Sequence, residues 1–202
     1  DGGNTPNMMA AWCKWGGGDV ILETNDLKVS PDRNVARNRM GTRVRIIAEC
    51  EKGFLKGGRG GMIAVEPDGR TVTRRFKGNG GRGHQKSFIE AVRSNDRTVF
   101  PILPHQAHPS ESVMHLANAS YRMGDLLSSS ELESSIAGHD DLLEIVDEQK
   151  TQLAAWGAKD PQYYSGPSIR VKPATGEVTT PGVGPELLGP DYRKGYELSK
   201  LV

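Results

Sequence analysis

The chain has 202 residues, room for one large domain or two small ones. Its formal net charge is +1, which excludes the strong electrostatic pull toward nucleic acid or anionic membranes that a basic chain would have. No run approaches the ~18 apolar residues that a membrane-spanning helix needs, and two cysteines, Cys13 and Cys50, make neither a disulfide framework nor a zinc spacing.

Residues 10–15 and 20–24 read as two short strands joined by Gly16-Gly17-Gly18-Asp19, a loop that permits the positive φ angles of a tight hairpin. Residues 25–40 are polar and broken by Pro31, so a loop is expected there. Residues 43–50 alternate, with Val44, Ile46 and Ala48 on one side and Arg43, Arg45 and Ile47 on the other, the pattern of a half-buried strand. Both cysteines sit in strand-like runs and read as small hydrophobes. Glu51-Lys52-Gly53 reads as the turn of a hairpin. Residues 62–66 and 71–76 form another, through Pro67-Asp68-Gly69.

Helices follow. Phe88, Ile89 and Val92 share one face of residues 85–94. Pro109 suits the first turn of a second helix, with Glu111 near its positive end. Val113, Leu116, Ala117 and Ser120 line one side of it, and Gly124 is a stop signal. A third helix spans residues 140–156. Leu142, Val146, Gln149 and Leu153 fall at helical spacing, Leu143 and Ile145 widen the apolar face, and Gly157 ends it. The tail offers a hairpin over 169–178 around Pro173-Ala174-Thr175-Gly176, and a short helical segment near Tyr192. Strands first and helices later predict an α+β fold: an open, mostly antiparallel sheet with helices packed on one face, as one domain over residues 1–202.

Gly78, Gly80 and Gly83 spell G-x-G-x-x-G between a strand and a helix, the order of a dinucleotide-binding loop. A nucleotide fold needs a buried, continuously apolar strand before that loop. Residues 71–76 instead alternate and carry Arg74 and Arg75. The helix should lead to a second buried strand ending in an acid, but Asn95-Asp96-Arg97 and a proline-broken segment follow. The loop therefore reads as a link between a hairpin and a helix, with no Rossmann domain in this chain.

His105, His108 and His115 form H-x2-H-x6-H, and three imidazoles with a water would make an open zinc site. The bland alternative makes His108 a helix-start residue and His115 a partly buried polar group; His84, just ahead of a helix, has the same split. Asp140-Asp141 suits a helix N-terminus, and Glu144, Asp147 and Glu148 a solvated helix face. No basic patch with interleaved aromatics points to nucleic acid.

The segment His84-Gln-Lys-Ser-Phe-Ile-Glu-Ala-Val-Arg-Ser94, then His108-Pro-Ser and His115-Leu-Ala-Asn-Ala-Ser-Tyr-Arg-Met-Gly124, resembles the C-terminal half of the glucose–fructose oxidoreductase, inositol dehydrogenase and MocA family (Gfo/Idh/MocA), in its bacterial subgroup. Gly3-Asn4-Thr5-Pro6-Asn7, Gln152-Leu-Ala-Ala-Trp-Gly157 and Asp191-Tyr-Arg-Lys194 are similar as well, so the likeness runs along nearly the whole chain. It implies that this chain is the substrate-binding and oligomerisation half of an NAD- or NADP-dependent sugar or cyclitol oxidoreductase. A Rossmann half with an E-K-P lysine would precede it in a longer protein; the chain opens on Asp1, and signals for compartment would lie upstream. It also implies that no catalytic, cofactor-binding or metal residue falls in this chain, since Glu51-Lys52-Gly53 does not replace E-K-P and the family's histidine motif would lie before Asp1. Asn4, Asn7, His84 and His108, polar and near element ends, are the expected substrate contacts. The expected partners are a sugar or cyclitol and further copies of the chain through the sheet, with no nucleic acid and no membrane. Pro109 and Phe100-Pro101 depart from the subgroup's residues. Two other readings stand beside this one: a free-standing binding or assembly module, and a metallohydrolase on the three histidines.

Overall fold

The computed structural model describes residues 6–41, 43–44, 46–100 and 102–188. The chain forms two compact units, Asp1–Asn34 with Ala107–Val202, and Val35–Gln106. The architecture is α+β, and every pairing between strands among the described residues is antiparallel.

β1 (Met8–Trp15) and β2 (Gly18–Asn25) form the first hairpin, in register from Met8↔Asn25 to Trp15↔Gly18. Two residues, Gly16 and Gly17, make the turn, and Gly18 and Asp19 already belong to β2. Across the strands the Trp12 indole N–H donates to Asp19 Oδ2 at 3.1 Å. Cys13 lies within β1, where burial pushes its thiol pKa up. The expected loop over 25–40 is corrected. It holds β3 (Lys28–Ser30) and β4 (Arg33–Ala36), a small hairpin. Pro31 stands between the strands, where its missing N–H costs no ladder bond, so it marks the turn rather than breaking the strand.

β5 (Ile46–Cys50), β6 (Gly53–Gly58), β7 (Gly61–Val65) and β8 (Val72–Lys77) pair in sequence order as a four-stranded sheet. Glu51-Lys52 is the β5–β6 turn, as expected. Ile46, Gly57, Met62 and Phe76 form one cross-strand row; Ile47, Lys56, Ile63 and Arg75 form the next, on the opposite face. β5 is an edge strand: Val44, just ahead of it, and Ile46 are exposed. The β7–β8 turn is built by Asp68. Its Oδ1 accepts from the N–H groups of Arg70 and Thr71, both at 2.8 Å, and its Oδ2 accepts from the Thr71 hydroxyl at 2.6 Å. Those bonds, the Thr71 hydroxyl foremost, lower its carboxyl pKa to about 2. Gly69 takes a left-handed φ of 68° there. Lys56 is buried, and its ammonium donates to the carbonyls of Met40 (3.3 Å) and Gly69 (2.7 Å), tying two turns together.

α1 (His84–Ser94) ends at left-handed Asn95, whose N–H bonds the Ala91 carbonyl. Phe88, Ile89 and Val92 do share a face, but that face is open, with Phe88 59% exposed; Ala91 is the buried residue of the helix. α2 (Pro104–Arg122) starts five residues earlier than Pro109 suggested. Pro104 takes the first helical position, and Gln106 Oε1 accepts from the Leu103 N–H at 2.8 Å, half of a capping box. Pro109 is interior, with no N–H for the His105 carbonyl, and Glu111 stands a further half-turn on, away from the positive end.

β9 (Asp125–Leu127) and α3 (Ser129–Ser135) come next; α3 opens with a full capping box between Ser128 and Glu131. α4 (Asp140–Ala155) buries Leu142, Ile145, Val146, Gln149 and Gln152 and packs on β1 and β3. A Schellman motif closes it: Gly157 N–H to Ala154 O, Ala158 N–H to Leu153 O, with Gly157 at φ 86°. β10 (Tyr163–Ser165) pairs with β9. The tail hairpin is present as a bridge between Val171 and Val178, and α5 (Pro185–Leu188) follows. The helical segment expected near Tyr192 lies outside the described residues.

One polar cluster fastens α4 to the strands. Gln152 Oε1 accepts from Asn25 Nδ2 at 2.8 Å, and its Nε2 donates to the carbonyls of Leu27 (2.6 Å) and Lys28 (3.0 Å). The Trp156 indole N–H also donates to Lys28 O at 2.8 Å.

Candidate functional site

The Asp1–Asn34/Ala107–Val202 unit contains a cleft of about 380 Å³, within the usual size range of small-molecule sites. One wall is β1, through Met8 to Ala11, preceded by Pro6 and Asn7. The helices supply Ala117, Ser120 and Tyr121 from α2, Leu132 and Ile136 from α3, and Leu142, Val146, Gln149 and Leu153 from α4. Gln162 and β10, continued by Gly166, complete it.

Its shape depends on two close backbone approaches. A Cβ on Gly124 would stand 2.9 Å from the Ser165 carbonyl, and one on Gly166 would collide with the Ser120 carbonyl. The glycines therefore let the end of α2 meet the end of β10. Ser120 Oγ seals the approach by donating to Pro167 O at 2.9 Å. Tyr121 from α2 and Tyr164 from β10 meet edge to face, ring centroids 5.4 Å apart.

The cleft's polar lining comes from Asn7, Ser120, Tyr121, Gln162 and Tyr164, and two further lining residues hold buried polar atoms. Gln149 is 7% exposed, on the helix face that otherwise carries Leu142 and Val146. Its Nε2 is buried with no hydrogen-bond partner among the described residues, and so is the Tyr163 hydroxyl. A buried amide or phenol without a partner is destabilising by itself, and both atoms are closed off from solvent. Helical spacing placed Gln149 on the inward face from sequence. Tyr163 gave no comparable signal, because β10 is three residues long and pairs with a strand 36 positions earlier.

The sequence-predicted contacts are dispersed. Asn7 is exposed and lines the lip of the cleft. Asn4 lies outside the described residues. His108 belongs to the same unit but not to the cleft; it is exposed on α2, its Nε2 3.5 Å from Ser112 Oγ. His84 belongs to the Val35–Gln106 unit, where its Nδ1 lies 2.5 Å from the Gly81 carbonyl at the start of α1. His108 and His115, seven residues apart on one helix, are separated by about 10 Å along its axis. No group of three or more His, Cys, Asp or Glu among the described residues is placed to hold a metal ion.

The glycine fingerprint has its own explanation. β8 is antiparallel to β7, so the strand before the loop is not the parallel strand of a nucleotide fold. The amides that would face a phosphate are engaged: Gly78 N–H with Gly60 O (3.2 Å), Gly80 N–H with Arg59 O (2.8 Å), Gly81 N–H with Asn79 Oδ1 (2.9 Å). A Cβ on Gly78 would lie 2.7 Å from Gly61 N, so this glycine serves the contact with the β6–β7 turn.

No protein-family model, curated protein or solved structure matches the chain.

Proposed function

We propose that the chain is the substrate-side and oligomerisation domain of an NAD- or NADP-dependent sugar or cyclitol oxidoreductase. A separate dinucleotide-binding half would supply the cofactor and the lysine and histidine that handle the proton. The resemblance of residues 84–94 and 108–124 to the Gfo/Idh/MocA family motivates the reading. The observation that carries it is the cleft, whose amide, hydroxyl and tyrosine groups among aliphatic walls suit a polyhydroxylated ring: hydroxyls take hydrogen bonds, and ring C–H faces pack on apolar and aromatic surface.

Oligomer contact through the sheet belongs to the same proposal. Ile46, Ala48, Leu55, Met62, Ala64 and Phe76 share one largely apolar face, on which Ile46 and Phe76 are exposed and the Arg74 guanidinium lies 4.9 Å over the Phe76 ring. Calorimetric titration of the 202-residue chain with monosaccharides, cyclitols, NAD and NADP tests the reading. The expected result is affinity for a sugar or cyclitol and none for either dinucleotide. Dinucleotide binding by this chain, or indifference to the whole sugar panel, refutes it.

A further inference from the structure

We infer that β8 is a docking edge for an extended acidic peptide, which joins the four-stranded sheet as a further strand and sets carboxylates against Arg75 and Lys77. The inference is independent of the sugar reading. Its first support is charge. The net charge of +1 averages two units of opposite sign: Val35–Gln106 carries fifteen Lys or Arg against six Asp or Glu, a formal +9, and the rest of the chain eleven against nineteen, a formal −8. A partner of the first unit is therefore anionic.

The second support is the backbone. β8 is the outer strand of its sheet, with β7 as its one strand neighbour, and all six of its residues are exposed. In an antiparallel pair every second residue turns its N–H and C=O away from the ladder, so β8 presents a row of donors and acceptors. No described residue outside β7 bonds to the backbone of residues 74–77. A peptide carries the matching row, whereas the phosphates of a lipid surface or a nucleic-acid strand only accept.

Side chains set the sequence that fits. Arg75 and Lys77 stand on one face, two residues and about 7 Å apart, both exposed and without an ion-pair partner among the described residues. Beside them lies a shallow cleft of about 420 Å³, where Gly60 and Gly61 contribute no side chain; its described lining includes Lys56, Arg75 and Lys77 and no Asp or Glu. Residues i and i+2 of an added strand lie alongside the pair, so both are Asp or Glu, and the residue between them turns to the Phe76 face and is apolar. Cations on an edge strand can also serve only to repel other strands, and such a guard would accept no peptide.

The experiment is fluorescence anisotropy on the full chain with a labelled peptide of about eight alternating Glu and Val residues. Its controls are the same peptide with Lys for Glu, the Glu-Val peptide N-methylated at alternate residues, and a single-stranded thymidine oligonucleotide. The Glu-Val peptide should bind, and less tightly as salt is raised. Lys for Glu, N-methylation, and Arg75→Glu with Lys77→Glu should each weaken binding at least about tenfold; circular dichroism checks that the variant stays folded. Arg93→Glu with Arg97→Glu, which alters the net charge equally away from β8, should weaken it less than about threefold. An N-methylated peptide that binds as well as its parent overturns strand addition. Equal loss from the two double variants reduces the surface to diffuse charge and overturns the site. An oligonucleotide bound more tightly than the peptide, and released by the β8 variant, overturns the choice of a peptide. Failure of the acidic peptide to bind overturns the inference whole and leaves the sugar reading standing.

Discussion

Replacing Gln152 tests how α4 is fixed to the β1–β3 segment. The side chain is 5% exposed and makes three hydrogen bonds, to Asn25 Nδ2, Leu27 O and Lys28 O. Gln152→Met keeps the volume and removes all three. Lys28 O retains the Trp156 indole, so two groups, Asn25 Nδ2 and Leu27 O, lose a bond without replacement. At about 1–3 kcal/mol for each buried group left unsatisfied, and with some recovery from methionine's better burial, the net loss should be about 2 kcal/mol. That corresponds to a fall in Tm of about 4–8 °C for a chain of this size. Trp12, Trp15 and Trp156 all belong to the Asp1–Asn34/Ala107–Val202 unit, so tryptophan fluorescence in urea follows the unit concerned. Gln152→Glu adds a second arm. Its carboxylate would face two carbonyls where an amide donated, so it should cost more than methionine at neutral pH. The extra cost should shrink on acidification, because the protonated carboxyl can donate to one of them. A methionine variant within about 0.5 kcal/mol of the parent, with an unchanged denaturant slope, would show that the cluster does not hold the helix.

Asp68 gives a pH signature. Its folded pKa of about 2 lies below the ordinary carboxylate value near 4. Its contribution to stability is therefore fully present above about pH 4 and is lost as pH falls toward about 2. Asp68→Asn should flatten that part of an acid titration followed by far-ultraviolet circular dichroism, and an unaltered acid limb would count against the turn as its source. Gly166→Ala should destabilise by about 1–3 kcal/mol, the cost of overpacking, because its methyl group would collide with the Ser120 carbonyl; calorimetric melting of the variant checks this, and a neutral result would mean that α2 and β10 part easily.

Local chemistry made the hairpins legible. Asp68 determines its turn by short-range hydrogen bonds, and Gly53, at φ 128°, its own by backbone freedom, so the sequence alone places both. α4 was legible for a similar reason: its apolar spacing is regular and Gly157 terminates it. α2 was only half legible, because two prolines five residues apart each satisfy the rule for a first turn, and the Gln106 cap on Leu103 decides for Pro104. α3 was written in Ser128-Ser129-Ser130-Glu131, a capping box obscured by a serine-rich run. The helix face of Phe88, Ile89 and Val92 shows the limit of periodicity: it identifies an apolar stripe but not whether anything covers it. The cleft follows the same division. Gln149 is placed by the rhythm of its own helix. Tyr163 reaches the cleft through the β9–β10 ladder and the Gly124 and Gly166 approaches, contacts between segments distant in the chain.

The two cysteines offer a chemical clock. The Cys13 thiol is half-buried in β1 and its pKa is raised, whereas Cys50 is exposed at the end of β5. Thiolate is the nucleophile, so an alkylating reagent at neutral pH should modify Cys50 promptly and Cys13 at a rate governed by opening of the β1–β2 hairpin. Because these residues lie in different units, a pulse of reagent followed by mass spectrometry would assign each added mass to its own unit. The breathing of the β1 wall could then be timed with and without a sugar present, with no engineered label.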